Sequence, residues 1–249
     1  MGDQSFLRGI DRIGMTMNGS NKSVMQHDRL DAFEQVVRDR RSIRGFTAER
    51  IPEDVLRRVF TLAQRAPSNC NTQPWKVAVI SGERCHALAD RISAAMANGD
   101  VAMDFPYEGI YHGVYRDRQH RAAADLYTAM GIDRDDKAGR SAAFMRNFRF
   151  FDAPHVAFFF LQRDFGIREA ADMGMYAQTL MLALTAHGLG SCPQTALSFH
   201  AHLVRAELGL GDEYRLLFGL SFGYPDCSHD ANAVRIARAS LEECVEFHG

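Results

Sequence analysis

Apolar residues recur along the 249-residue chain with two periods. The helical period places Leu30, Phe33, Val36 and Val37 in one stripe behind Asp28, a capping residue. Val55, Leu56, Val59, Phe60 and Ala63 form a second stripe behind Pro52, which suits a first helical turn. Further helices are expected over Glu83–Ala97, over Arg116–Met130 with Gly131 as terminator, and around His200–Leu208. Arg168–Ala186 is apolar on more than one side, through Ala171, Met175, Leu180, Leu182 and Ala183, as a helix at a subunit interface would be; His187-Gly188 stops it. Short apolar runs bounded by turn residues predict strands at Trp75–Ile80, at His155–Leu161 after Pro154, and at Tyr214–Phe222 before Gly223-Tyr224-Pro225. Helices outnumber strands and separate them, so the expected fold class is α+β, a sandwich around one sheet. Residues 1–26 show little periodicity and are expected as an N-terminal extension, disordered or draped over a partner, with the domain spanning 27–249.

Two polar stretches frame the second helix. Arg40-Arg41-Ser42-Ile43-Arg44 packs three guanidinium groups and a hydroxyl into five residues. Such forks bind phosphate oxygens bidentately, and a hydroxyl or backbone N–H completes the cradle. Ala66-Pro67-Ser68-Asn69-Cys70-Asn71-Thr72-Gln73-Pro74-Trp75 is a turn crowded with amides and hydroxyls and stiffened by two prolines. Taken singly, each is an ordinary solvated turn. Their order and spacing together resemble the FMN-dependent nitroreductase family, in which an RxSxRxF-like phosphate motif, a helix and a PSxxNxQPW-like turn follow one another.

The resemblance extends further. Gly188-Leu189-Gly190-Ser191-Cys192-Pro193-Gln194 does not fit a dinucleotide fingerprint, because the third glycine is missing and the run follows a helix instead of a strand. It is similar to the family's GLGxC segment, which implies that Pro193, Gln194 and Thr195 lie by the flavin ring with a backbone N–H available to N5. The tail, Asn232 to Val245, is similar to the family's closing pattern of an arginine before an L-[DE]-E-x-V run. That implies Arg238, and with lower weight Arg235, beside Arg40 at the phosphate. The resemblance further implies a central, mostly antiparallel sheet flanked by helices, an intertwined homodimer, and FMN held by Arg40, Arg41, Ser42, Arg44, Pro67, Ser68, Asn69 and Asn71, the Ser68–Asn71 turn coming from the partner subunit. NADH or NADPH would reduce the flavin at N5 and leave, and a small aromatic acceptor would follow, with no catalytic side chain required. Two departures stand out: Cys70 inside the turn, where small or hydroxylated residues are usual, and Arg41 in a slot that varies.

Composition narrows the partners. The formal charge of -2 lacks the basic excess of a nucleic-acid binder. The longest apolar runs, such as Val156–Leu161, are too short to span a membrane. The five cysteines are odd in number and widely spaced, which suggests neither a disulfide framework nor a metal site and suits a reducing cytoplasm. His86, His112 and His200 are expected at the surface or at helix caps. Residues 99–140 mix Phe105, Tyr107, Tyr111, Tyr115 and Tyr127 with Arg116, Arg118 and Arg121. They form either a surface helix pair or a lid over a flat ligand. Other acceptors on the same scaffold, such as reductive dehalogenation, flavin fragmentation or flavin release, stay open. So do a non-catalytic FMN-binding module and a chain that has lost its flavin.

Overall fold

The structure, a computed structural model, describes the backbone of residues 19–249 and side chains from residue 27 onward. Most of the expected extension lies outside the described residues. The chain divides into two units, residues 1–39 and 40–249. The first contributes one helix, α1 (Gly19–Asp39). It begins nine residues before Asp28, so Asp28 is an interior residue and not the cap. Glu34 pairs with Arg38 and Gln35 bonds Asp39 on its exposed face, both i,i+4 contacts.

The second unit is built on a four-stranded antiparallel sheet ordered β1-β2-β4-β3, formed by β1 (Lys76–Ser81), β2 (His155–Gln162), β3 (Gly190–Gln194) and β4 (Tyr214–Gly223). Around it lie α2 (Glu53–Ala63), α3 (Glu83–Ala97), α4 (Gly113–Ala129), α5 (Lys137–Met145), α6 (Ile167–Ala186) and α7 (Ala201–Leu208). The apolar run of β2 is buried on both faces, which explains its lack of alternation. Val156, Phe158 and Phe160 face a core with Leu88 and Ile92 of α3 and with Phe148 and Phe150. Ala157, Phe159 and Leu161 face the other, with Val59 of α2 and Met173, Tyr176 and Leu180 of α6. The α+β sandwich expected from the sequence is the observed fold.

β3 was not expected as a strand, because Gly, Ser and Pro are poor strand formers. It survives at the sheet edge, where Pro193 needs no ladder N–H on its open side. The N-terminal segment of this unit extends the edge further: Ser42 bridges Ser191 in parallel, and the Ile43 N–H donates to the Ser191 carbonyl at 3.0 Å. Gly190 is required for this contact, since a Cβ there would lie 2.6 Å from Ile43 Cγ1. The glycine that imitates a dinucleotide motif therefore serves close packing.

Of the three histidines expected at the surface or at caps, His86 and His112 are exposed. His200 is fully buried, edge-on to Phe148, and burial lowers its pKa. It is the N-cap residue of α7, in line with the capping position expected from sequence, but its side chain makes no capping bond and the ring fills the core. Among the described residues no helix is long and apolar enough to cross a membrane.

Candidate cofactor site

The edge segment along β3 brings Arg40, Ser42 and Arg44 around the Cys192 thiol. Ser42 hydrogen-bonds that thiol, and both guanidinium groups act on its charge. Burial nonetheless pushes the thiol up to about 11, so it stays neutral and forms a closed floor. Arg238 comes in from the tail: the Arg40 pKa is lowered first by burial and next by the Arg238 charge. Arg238 is steadied by donating Nη1 to the carbonyls of Ile236 at 2.8 Å and Ala237 at 3.3 Å. Among the described residues no carboxylate pairs with Arg40, Arg44 or Arg238. Cations gathered without a counter-charge are destabilised by one another, and an anion relieves that.

Arg41 is turned differently. Its Nε donates to the Asn232 carbonyl at 3.2 Å, so part of its guanidinium holds the tail. Arg235 is exposed and has no ion pair or hydrogen bond among the described residues. Pro193 and Thr195 are exposed beside the cradle strand, but Gln194 is buried. Its amide donates to the Asn147 carbonyl at 3.0 Å and accepts from the Ser221 hydroxyl, which turns the side chain into the core. Only its backbone is left for a ligand.

The second polar stretch forms a 3-10 turn at Asn69–Asn71. Cys70, Asn71 and Gln73 have φ of 49°, 56° and 48°, which costs side-chain-bearing residues other than Asn about 1 kcal/mol or more each. Two contacts hold it there. The Asn69 N–H donates to Oδ2 of Asp172, a buried residue of α6, at 3.1 Å, and the Gln73 N–H donates to Ser68 Oγ at 2.9 Å. Trp75 anchors the exit by donating its indole N–H to Gln64 and packing on Tyr176. The side chains of Pro67, Asn69 and Asn71 are left exposed.

Sheet geometry separates the turn from the cradle. β1 and β3 are opposite edges, three strand spacings or about 14 Å apart. Lys76 lies level with Phe160, and Cys192 level with Val156, about 13 Å along the strands. Within one protomer Lys76, just past the turn, and Cys192, beneath the arginines, are thus about 20 Å apart, and no hydrogen bond or ion pair joins the two motifs among the described residues.

Arg238 also borders a cavity of about 1030 Å³ lined by Tyr107, Tyr111, Tyr115, Arg118 and Arg121 and by the tail from Ile236 to Cys244. Arg118 closes its rim on Glu243 at 3.0 Å. Asp104 pins the start of this aromatic segment by accepting from the Leu216 N–H of β4 at 2.7 Å and pairing with Arg205. Sequence reasoning missed three supporting residues: Asn232, Asp172 and Asn147. The tail pattern contains Asn232, but its spacing does not reveal its role, and Asp172 carries no local signal.

An α+β sandwich with arginines gathered at its sheet edge, unpaired with any carboxylate among the described residues, suits the class of proteins that bind a phosphate-bearing cofactor. Comparison narrows it. The chain belongs to the nitroreductase family, whose profile matches residues 37–224. It is 47% identical to the nitroreductase NfnB of Mycolicibacterium smegmatis over 88% of this chain and 94% of that one. It is 32% identical to the 4-nitrobenzoate reductase of Pseudomonas putida, over 88% and 96%. The crystal structure of the FMN-dependent NfnB from Mycobacterium smegmatis in complex with NADPH superposes with a TM-score of 0.85, covering 88% of this chain and 99% of that chain.

Proposed function

We propose that this protein is an FMN-dependent oxidoreductase that takes electrons from NADPH or NADH and reduces nitroaromatic or quinone-like acceptors. The observation that carries it is the gathering of Arg40, Ser42 and Arg44 around one buried thiol, with Arg238 close enough to Arg40 to lower its pKa and no carboxylate paired with these arginines among the described residues. That donor set fits a phosphate monoester. The likeness to an NADPH-bound, FMN-dependent NfnB and to a 4-nitrobenzoate reductase supports the cofactor, the reductant and the acceptor class.

In this reading Arg40, Ser42, Arg44 and Arg238 hold the FMN phosphate. The exposed backbone from Pro193 to Thr195 flanks the ring, and Ser68, Asn69 and Asn71 bond its edge or ribityl chain. FMN when bound supplies the two-electron relay between nicotinamide and acceptor. The protein supplies position and field: clustered guanidinium groups and backbone N–H dipoles favour negative charge nearby.

The separation of cradle and turn, about 20 Å between Cys192 and Lys76, supports a homodimer in which each cradle meets its partner's turn. The outward face of α6, with Ala171, Gly174 and Met175 exposed, offers apolar surface for that contact. Residues 27–249 would then be the working domain and 99–140 a lid over the acceptor, with Tyr107, Tyr111 and Tyr115 offering flat faces. The five cysteines are free, which suits the cytoplasm.

Equilibrium FMN binding to the apoprotein tests this assignment. Arg40→Ala removes a charged phosphate contact and is expected to raise Kd by roughly 10- to 100-fold. An unchanged Kd would move FMN elsewhere.

A further inference from the structure

We propose that Asn232 is a positioning residue that sets the geometry of the phosphate cradle, an inference that rests on the FMN reading. The cradle is assembled from segments almost two hundred residues apart, and the side chain of Asn232, only 4% exposed, stands where they meet. A carboxamide offers one acceptor oxygen and two N–H donors. All three are used. Oδ1 accepts from the backbone N–H of Arg44 at 2.7 Å, while Nδ2 donates to the carbonyls of Gly45 at 2.8 Å and Asp226 at 2.9 Å. The amide can point only one way, because a flip would set its oxygen against two carbonyls. The Asn232 main-chain carbonyl accepts from Arg41 Nε, and its N–H closes the turn Asp230–Asn232 on the His229 carbonyl at 2.8 Å.

Asn232 therefore ties the Arg40–Arg44 segment to the tail six residues before Arg238. Its side-chain bonds engage none of the side chains of Arg40, Ser42 and Arg44. None of its bonds reaches the Pro193–Thr195 strand or the Ser68–Asn71 turn, so its influence falls on the phosphate and not on the ring. Aspartate, equal in size, would set a second acceptor against the Gly45 and Asp226 carbonyls and bring negative charge to the cradle. Alanine would leave the Arg44 N–H and two carbonyls without partners.

The test compares FMN with riboflavin, which has the same ring and no phosphate, by fluorescence quenching on apoprotein. Asn232→Ala is expected to raise the FMN Kd about tenfold and leave the riboflavin Kd within about twofold. Asn232→Asp is expected to lose more FMN affinity, again with riboflavin held. If the alanine variant does not fold, the same pair of constants on Asn232→Ser, which retains a hydroxyl, decides the matter. Equal losses for the two ligands would assign Asn232 a general structural role and overturn the proposal, as would an unchanged FMN Kd. A wild-type apoprotein that takes up neither ligand, or does not prefer FMN, would overturn the cofactor reading itself and this proposal with it.

Discussion

At the scale of single residues, burial decides which groups stay neutral. His155 lies in the sheet, stacked on Phe222, with Nε2 accepting from the Ile51 N–H at 3.0 Å and Nδ1 bonded to Ser81 Oγ at 2.7 Å. Burial first, and Arg50 second, lower its pKa from 6.5 to about 4. The unfolded chain therefore binds a proton between those values that the folded chain refuses. Stability is full above pH 6.5, falls as pH drops towards 4, and levels off below that, with up to about 3 kcal/mol lost to this group. Urea unfolding across that range checks it: wild type should show the slope and His155→Gln should lose part of it. A slope that His155→Gln leaves intact would place the titration elsewhere. The grouping of Arg40, Ser42 and Arg44 was legible in the sequence because they are neighbours in the chain and guanidinium groups declare their affinity for anions. Asn232 and Gln194 were not, because an amide serves structure or ligand equally well and only its partners distinguish the two.

At the scale of elements, long periodic segments were legible and irregular ones were not. α3 matches its expected span, Glu83–Ala97, because its apolar stripe is continuous. α1 begins earlier than Asp28 implied, since its first turns carry no apolar stripe to announce them. β3 was hidden by its glycine and proline, and its strand character comes from β4 on one side and Ser42-Ile43 on the other. The Ser68–Gln73 turn is the element most dependent on a tertiary contact. Its left-handed residues oppose local preference, and buried Asp172 holds the Asn69 N–H against them. Asp172→Ala should lower the unfolding free energy by about 1–3 kcal/mol and speed proteolysis within the turn. Unchanged cleavage there would show that Pro67 and Pro74 suffice to hold it.

At the scale of the whole molecule, the sheet order separates what the sequence places close together. Arg44 and Ser68 are 24 positions apart in the chain, yet they belong to segments at opposite sheet edges, a separation that supports the proposal that the turn serves a partner's cofactor. That separation was not legible from spacing, since it depends on β3 entering the sheet next to β4. The central claim concerns chemistry, and an anaerobic absorbance titration of the purified protein tests it most directly. The account predicts a yellow protein that bleaches with NADPH or NADH and regains its colour on addition of 4-nitrobenzoate. A colourless protein that refuses added FMN would contradict it at the cradle, and a bleached protein that nitroaromatics and quinones both fail to reoxidise would contradict it at the acceptor.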